Sequence, residues 1–101
     1  MSPQVSIDRQ RIAAFCRRHH IRKLALFGSV LRQDFRPDSD VDVLVEFEPT
    51  HSPGLIRLSQ IEEELQPLLG GHPPDVVTFN ALNRWVRGRV LAEAQVQYAE
   101  G

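Results

Sequence analysis

Residues 41–47 read Val-Asp-Val-Leu-Val-Glu-Phe, a nearly alternating run rich in β-branched side chains. Such a run forms a strand, because branched side chains suit a pleated surface and successive side chains point to opposite faces. Val41, Val43 and Val45 then share one face, which needs a covering layer. Asp40 and Asp42 share the other. A chain with this strand needs partner strands along its edges and helices over its apolar side.

The flanking sequence supplies both. Ser6 or Asp8 can cap a first helix, with Ile12, Phe15, Cys16 and His19 on one face and an end near His20. Lys23 to Phe27 reads as a short strand, broken by Gly28-Ser29. Val30 to Gln33 reads as a helical turn, and Phe35-Arg36-Pro37-Asp38-Ser39 as turn chemistry. After a loop over 48–54, Leu55, Leu58, Ile61, Leu65, Leu68 and Leu69 form a helical stripe. Glu62-Glu63-Glu64 supply its solvated side, and Pro67 must kink or end it. Asp75 to Phe79 reads as a third strand. Asn80 can cap a last helix from Ala81 to about Gln97, in which Gly88 costs about 1 kcal/mol relative to alanine. Trp85 is expected in the core, with Arg84, Arg87 and Arg89 on a solvated face. The expected fold class is α+β: a small mixed sheet of three to four strands, helices packed mainly on one face, in a single domain over residues 1–101.

Composition narrows the function classes. With 12 basic and 13 acidic residues the formal net charge is -1, which makes no electrostatic case for general nucleic-acid or membrane-surface binding. Cys16 is the single cysteine, so no internal disulfide can form. No apolar run approaches the ~18 residues of a membrane span, and MSPQVSIDRQ lacks a signal-peptide core. The expectation is a soluble, cytoplasmic protein.

The chemistry concentrates at two strand ends. Two carboxylates side by side repel and resist burial, a conflict that a divalent cation resolves. Magnesium prefers oxygen ligands and often binds one or two carboxylates plus substrate phosphates. Asp-x-Asp alone is common in solvated strand ends. What adds meaning is the preceding strand, which ends in Phe27-Gly28-Ser29. The glycine lets backbone approach a phosphate closely, and the serine offers a hydroxyl and an N–H at a turn start. Competing motifs fail. Asp38, Asp40 and Asp42 open like a calcium loop, but Val43 holds the required glycine position and Pro49 the closing glutamate position. There is no Walker loop and no His-Glu-x-x-His, and Cys16 with His19 and His20 makes a poor zinc set. His51 and His72 fall in loops with no assigned role.

Gly28-Ser29, ten intervening residues and Asp40-Val41-Asp42 together resemble the signature of the DNA polymerase β-like nucleotidyltransferases. The longer stretch LALFGSVLRQDFRPDSDVDVLVEF is similar to the minimal nucleotidyltransferase (MNT) proteins, and the likeness runs from the first helix through PDVVTFNAL to the last. One departure is Gln33-Asp34, where many members have a glycine. The resemblance implies a polymerase β-like fold in which Gly28 and Ser29 hold the nucleotide triphosphate. It implies that Asp40 and Asp42 ligate two Mg2+ ions. It places Asp75 of PDVVTF as the third carboxylate, completing one metal site and helping to deprotonate the attacking hydroxyl. ATP is the implied substrate. Arg32 could reach a phosphate, though a surface role is the simpler one.

The chain is too short to hold an acceptor-binding domain as well, so the acceptor site is expected from another protein or a second copy. MNT proteins pair with HEPN-type ribonuclease toxins, and the resemblance implies an antitoxin that neutralises its partner by transferring AMP to a tyrosine. Two other readings stand beside it: an antitoxin that inhibits by contact alone, and a nucleotidyltransferase acting on a small molecule or an RNA end.

Overall fold

The structure is a computed structural model that describes residues 5–33, 35–51 and 53–100. The Asp34 position and the cap expected from the Asn80 side chain fall outside what is described.

Elements follow in the order α1 (Arg9–Arg18), β1 (Ile21–Phe27), β2 (Val41–Phe47), α2 (Leu55–Leu65), β3 (Pro74–Thr78), α3 (Arg84–Glu93) and β4 (Gln95–Ala99). Short 3-10 turns occupy Gly28–Leu31, Gln66–Leu69 and Phe79–Ala81. Asp8 caps α1, its carboxylate accepting from the N–H groups of Gln10 at 3.0 Å and Arg11 at 3.2 Å. At Pro67 the α2 helix tightens into a 3-10 turn, which Gly70 closes in the left-handed region.

The four strands form one mixed sheet in the order β3-β2-β1-β4. β1 runs antiparallel to both β2 and β4, while β2 and β3 are parallel. The β2–β3 pair therefore needs a crossover, and α2 provides it. One face of the sheet carries the main core: Leu24 and Leu26 of β1 and Val41, Val43 and Val45 of β2 meet Ile12, Phe15 and Cys16 of α1 and Ile61 and Leu65 of α2. Each fully buried large side chain there contributes about 1.5–3 kcal/mol. The other face has a small cluster, in which Ala25 and Leu44 meet Val90 of α3. Helices thus cover mainly one face, as expected.

Three expectations change. The predicted last helix is split: it starts at Arg84, where Asn83 caps it by accepting from the N–H groups of Trp85 and Val86 at 3.0 Å each, and stops at Glu93. Gln95–Ala99 becomes a strand because β1 offers it an open edge. Trp85 is not in the core but 81% exposed, since α3 buries only Val90. Leu55, placed in the apolar stripe of α2, is 83% exposed in that helix's first turn.

Candidate active site

The strand register brings the predicted residues to one end of the sheet. Phe27 pairs with Asp42 across β1 and β2, so Gly28 follows directly beside Asp42. Asp75 pairs with Asp42 across β2 and β3. Adjacent strands lie about 4.8 Å apart, and registered neighbours project from the same face. Val43 and Val76 point into the main core, so Asp42 and Asp75 project from the opposite face. Asp40, one residue before β2, adds a third carboxylate at the same end. Asp40 and Asp75 are exposed, and Asp42 is partly buried between them and the Gly28 turn.

Gly28 has φ +77°, in the left-handed region. A Cβ atom there would lie 2.2 Å from Oδ2 of Asp42 and 3.2 Å from its Cγ. The position is closed to other residues on two counts, backbone conformation and contact. Ser29 follows in the 3-10 turn, anchored by Val30 and Leu31, which are buried. Its carbonyl accepts from the Arg32 N–H at 2.9 Å.

The Asp40 side of the site is held by a net of hydrogen bonds. Ser39 Oγ accepts from the Arg36 N–H at 3.0 Å, and the Arg36 carbonyl accepts from the Ser39 N–H at 3.0 Å. His72 Nδ1 donates to the Ser39 carbonyl at 2.9 Å, with its ring 4.8 Å from that of Phe35. The Val41 N–H donates to the Pro73 carbonyl at 2.9 Å. The two segments that carry Asp40 and Asp75 are thereby tied together. His72 has a structural part here that its sequence context, a loop between Gly71 and Pro73, gave no sign of.

Burial pushes the Asp42 carboxyl above its ordinary value of 3.8. The Asp75 and then the Asp40 charges push the same way, and the Arg32 guanidinium opposes them. Three carboxylates with one partly opposing cation make the surroundings of Asp42 negative, which disfavours its charged form in the absence of a cation. A hard divalent ion with oxygen ligands fits that donor set. The zinc set dismissed from sequence is not assembled: Cys16 lies in the core, and burial pushes its thiol up to about 12. A cleft of about 540 Å³ opens at the far end of β2, lined by Glu46, Glu48, His51 and Phe79 among others. None of Gly28, Ser29, Asp40, Asp42 or Asp75 lines it.

Comparison with known proteins bears on the family and the fold. The family model described as "Nucleotidyltransferase domain" matches residues 9–96. The protein adenylyltransferase MntA of Thermococcus cleftensis is 38% identical over 76 residues, covering 75% of this chain and 74% of that protein. The solved structure of a candidate minimal nucleotidyltransferase is 36% identical with a TM-score of 0.71, covering 86% of each chain. A solved complex of a tri-AMPylated Shewanella oneidensis HEPN toxin with an MNT antitoxin contains a chain that is 16% identical with a TM-score of 0.63, covering 90% of this chain and 69% of that one. At that identity the likeness is one of fold.

Proposed function

This chain belongs to the nucleotidyltransferase domain family and is a nucleotidyltransferase, and we propose that it is an antitoxin that transfers AMP from ATP to a tyrosine of a HEPN-type toxin in the cytoplasm. The observation that carries the proposal is Asp42. Its carboxylate lies against Gly28 and in register with Asp75, with a pKa raised by burial and by two neighbouring carboxylates. That is a seat for divalent cation and phosphate together. The relatives add the acceptor: the MntA relative is named a protein adenylyltransferase, and the Shewanella toxin carries AMP groups beside its MNT antitoxin.

In this reading Asp40, Asp42 and Asp75 hold two Mg2+ ions, and Gly28 and Ser29 hold the triphosphate. When bound, Mg2+ offsets the negative charge that grows on the transferred phosphate and on the leaving group. The bare Gly28 backbone lets the triphosphate approach the carboxylates without a side chain between them. The Ser29 hydroxyl and the N–H groups of the turn supply donors for the phosphates. The tyrosine oxygen forms a bond to the α-phosphorus of ATP, the bond to the α–β bridging oxygen breaks, and pyrophosphate leaves. Asp75, exposed on the outer strand, takes the phenolic proton. The protein's own contribution is mainly to position these groups.

Intact mass spectrometry of the co-purified partner, with and without ATP and Mg2+, tests the proposal. The expected result is a mass increase of one or more AMP residues, abolished by Asp42→Asn. A partner that is inhibited but never modified, or an Asp42→Asn protein that modifies at the wild-type rate, would overturn it.

A further inference from the structure

At the end of the sheet away from the three aspartates, His20, Glu48 and His51 converge. They come from the α1–β1 turn and the loop that follows β2. One ligand atom from each lies within 4.8 Å of the others, and among the described residues no other three His, Cys, Asp or Glu side chains gather so closely. The Glu48 carboxylate oxygen Oε2 lies 3.0 Å from His20 Nδ1 and 3.6 Å from His51 Nδ1. The two imidazole rings stack at 3.7 Å with 10° between their planes.

Main-chain geometry holds the three in place before any ligand arrives. His20 adopts φ +60°, the one non-glycine residue described with positive φ. A bulky residue in that region is unusual, and here it turns the imidazole toward the β2 end. The Glu48 N–H donates to the His20 carbonyl at 2.9 Å, and the His51 N–H to the Glu48 carbonyl at 2.9 Å. Thr50 Oγ1 sits 3.1 Å from His51 Nδ1.

We propose that His20, Glu48 and His51 form a site for a zinc-class transition-metal ion, separate from the carboxylate site. Two imidazoles and one carboxylate match the three-ligand sets of zinc centres that keep a fourth position open. Imidazole nitrogen selects zinc, nickel or copper over magnesium, so the two ends of the sheet differ in metal preference. The ion takes the place of the proton that joins His20 to Glu48, and the stacked rings must swing apart for both in-plane nitrogen lone pairs to aim at it. All three side chains are reachable from solvent. Clefts on either side carry Arg22 and Arg57, which favour an anion in the open position. Once bound, the ion cross-links the α1–β1 turn to the loop that leads into α2.

The test is titration of untagged protein with Zn2+ by calorimetry and with Co2+ by visible absorption. With excess Mg2+ present to occupy the carboxylate site, expected are one Zn2+ per chain, the d–d bands of four-coordinate cobalt, and the same binding at His20, Glu48 and His51 in Asp42→Asn. His51→Ala should weaken the affinity by at least about tenfold, the loss typical of even outer-shell changes. His20→Asn keeps a residue that tolerates positive φ and should do the same while remaining folded. A melting temperature that rises with Zn2+ in the wild type, and not in His51→Ala, supports the cross-link. The proposal is overturned if Zn2+ binds both histidine variants as tightly as the wild type, or if Co2+ binding is lost in Asp42→Asn instead.

Discussion

Replacing Gly28 by alanine separates two costs that the structure superimposes. The first is conformational: an L-residue at φ +77° costs about 1–2 kcal/mol. The second is contact: the new Cβ falls 2.2 Å from Asp42 Oδ2, so the carboxylate must leave its rotamer or the turn must shift. Moving a packed side chain in this way costs about 1–3 kcal/mol. Gly71 provides the control, with φ +88° and nothing within 4 Å of its built Cβ. Gly71→Ala should therefore lose about 1–2 kcal/mol and Gly28→Ala about 2–5. At roughly 4–8 °C per kcal/mol for a domain of this size, the two melting curves are easily told apart. A double-mutant cycle assigns the difference. In an Asp42→Ala background the clash is gone, and Gly28→Ala should cost no more than Gly71→Ala, a coupling of about 1–3 kcal/mol. AMP transfer by Gly28→Ala should fall about a hundredfold, because the displaced carboxylate is misplaced by about 1 Å. Equal melting temperatures for the two alanine variants, or a Gly28→Ala penalty that persists without the Asp42 carboxylate, would refute the reasoning.

Further outcomes follow from other residues. Because the Asp42 pKa is raised in the folded state, that state binds the proton more tightly than the unfolded chain does. In EDTA, the Asp42 contribution to stability should increase as pH falls from neutral through the raised value, then level off below the ordinary 3.8. Asp42→Asn should be more stable than the wild type at neutral pH, and the difference should vanish in acid; parallel urea-midpoint curves would contradict this. The Cys16 thiol, buried and pushed up to about 12, should resist iodoacetamide at pH 8 until the chain is unfolded; rapid labelling of native protein would show the core is open there. His72→Ala removes the hydrogen bond to Ser39 and should cost about 1 kcal/mol. It should also lower AMP transfer by loosening Asp40, an effect absent if activity per folded molecule is unchanged.

Much of the site was legible because punctuation and period agree there. The Val41–Phe47 alternation placed Asp42 on the outer face, and Gly28-Ser29 ended β1 where expected. Asp75 was placed by resemblance, and the parallel β2–β3 register sets it beside Asp42. Two of the failures lie at the far end of the chain. Gln95–Ala99 follows α3 without a glycine or proline, so nothing local separates strand from helix; the free edge of β1 decides it. Trp85 looks like a core residue by type, but α3 presents only Val90 to the sheet and leaves the indole outside, with Arg84 over its ring at 5.1 Å. The His20, Glu48 and His51 cluster was invisible because its members are joined by tertiary contact across separate loops.

The parallel pairing of β2 with β3 also sets an order in time. The β1–β2 hairpin closes a short loop and can bring Gly28 against Asp42 early, whereas Asp75 arrives only when the α2 crossover has docked. A chain still emerging from the ribosome would own two of its three carboxylates and lack the third. Competence to react would then report completed folding, and pulse-labelled amide exchange should find β3 protected after β1 and β2. A half-made molecule could grip a phosphate before it could use one.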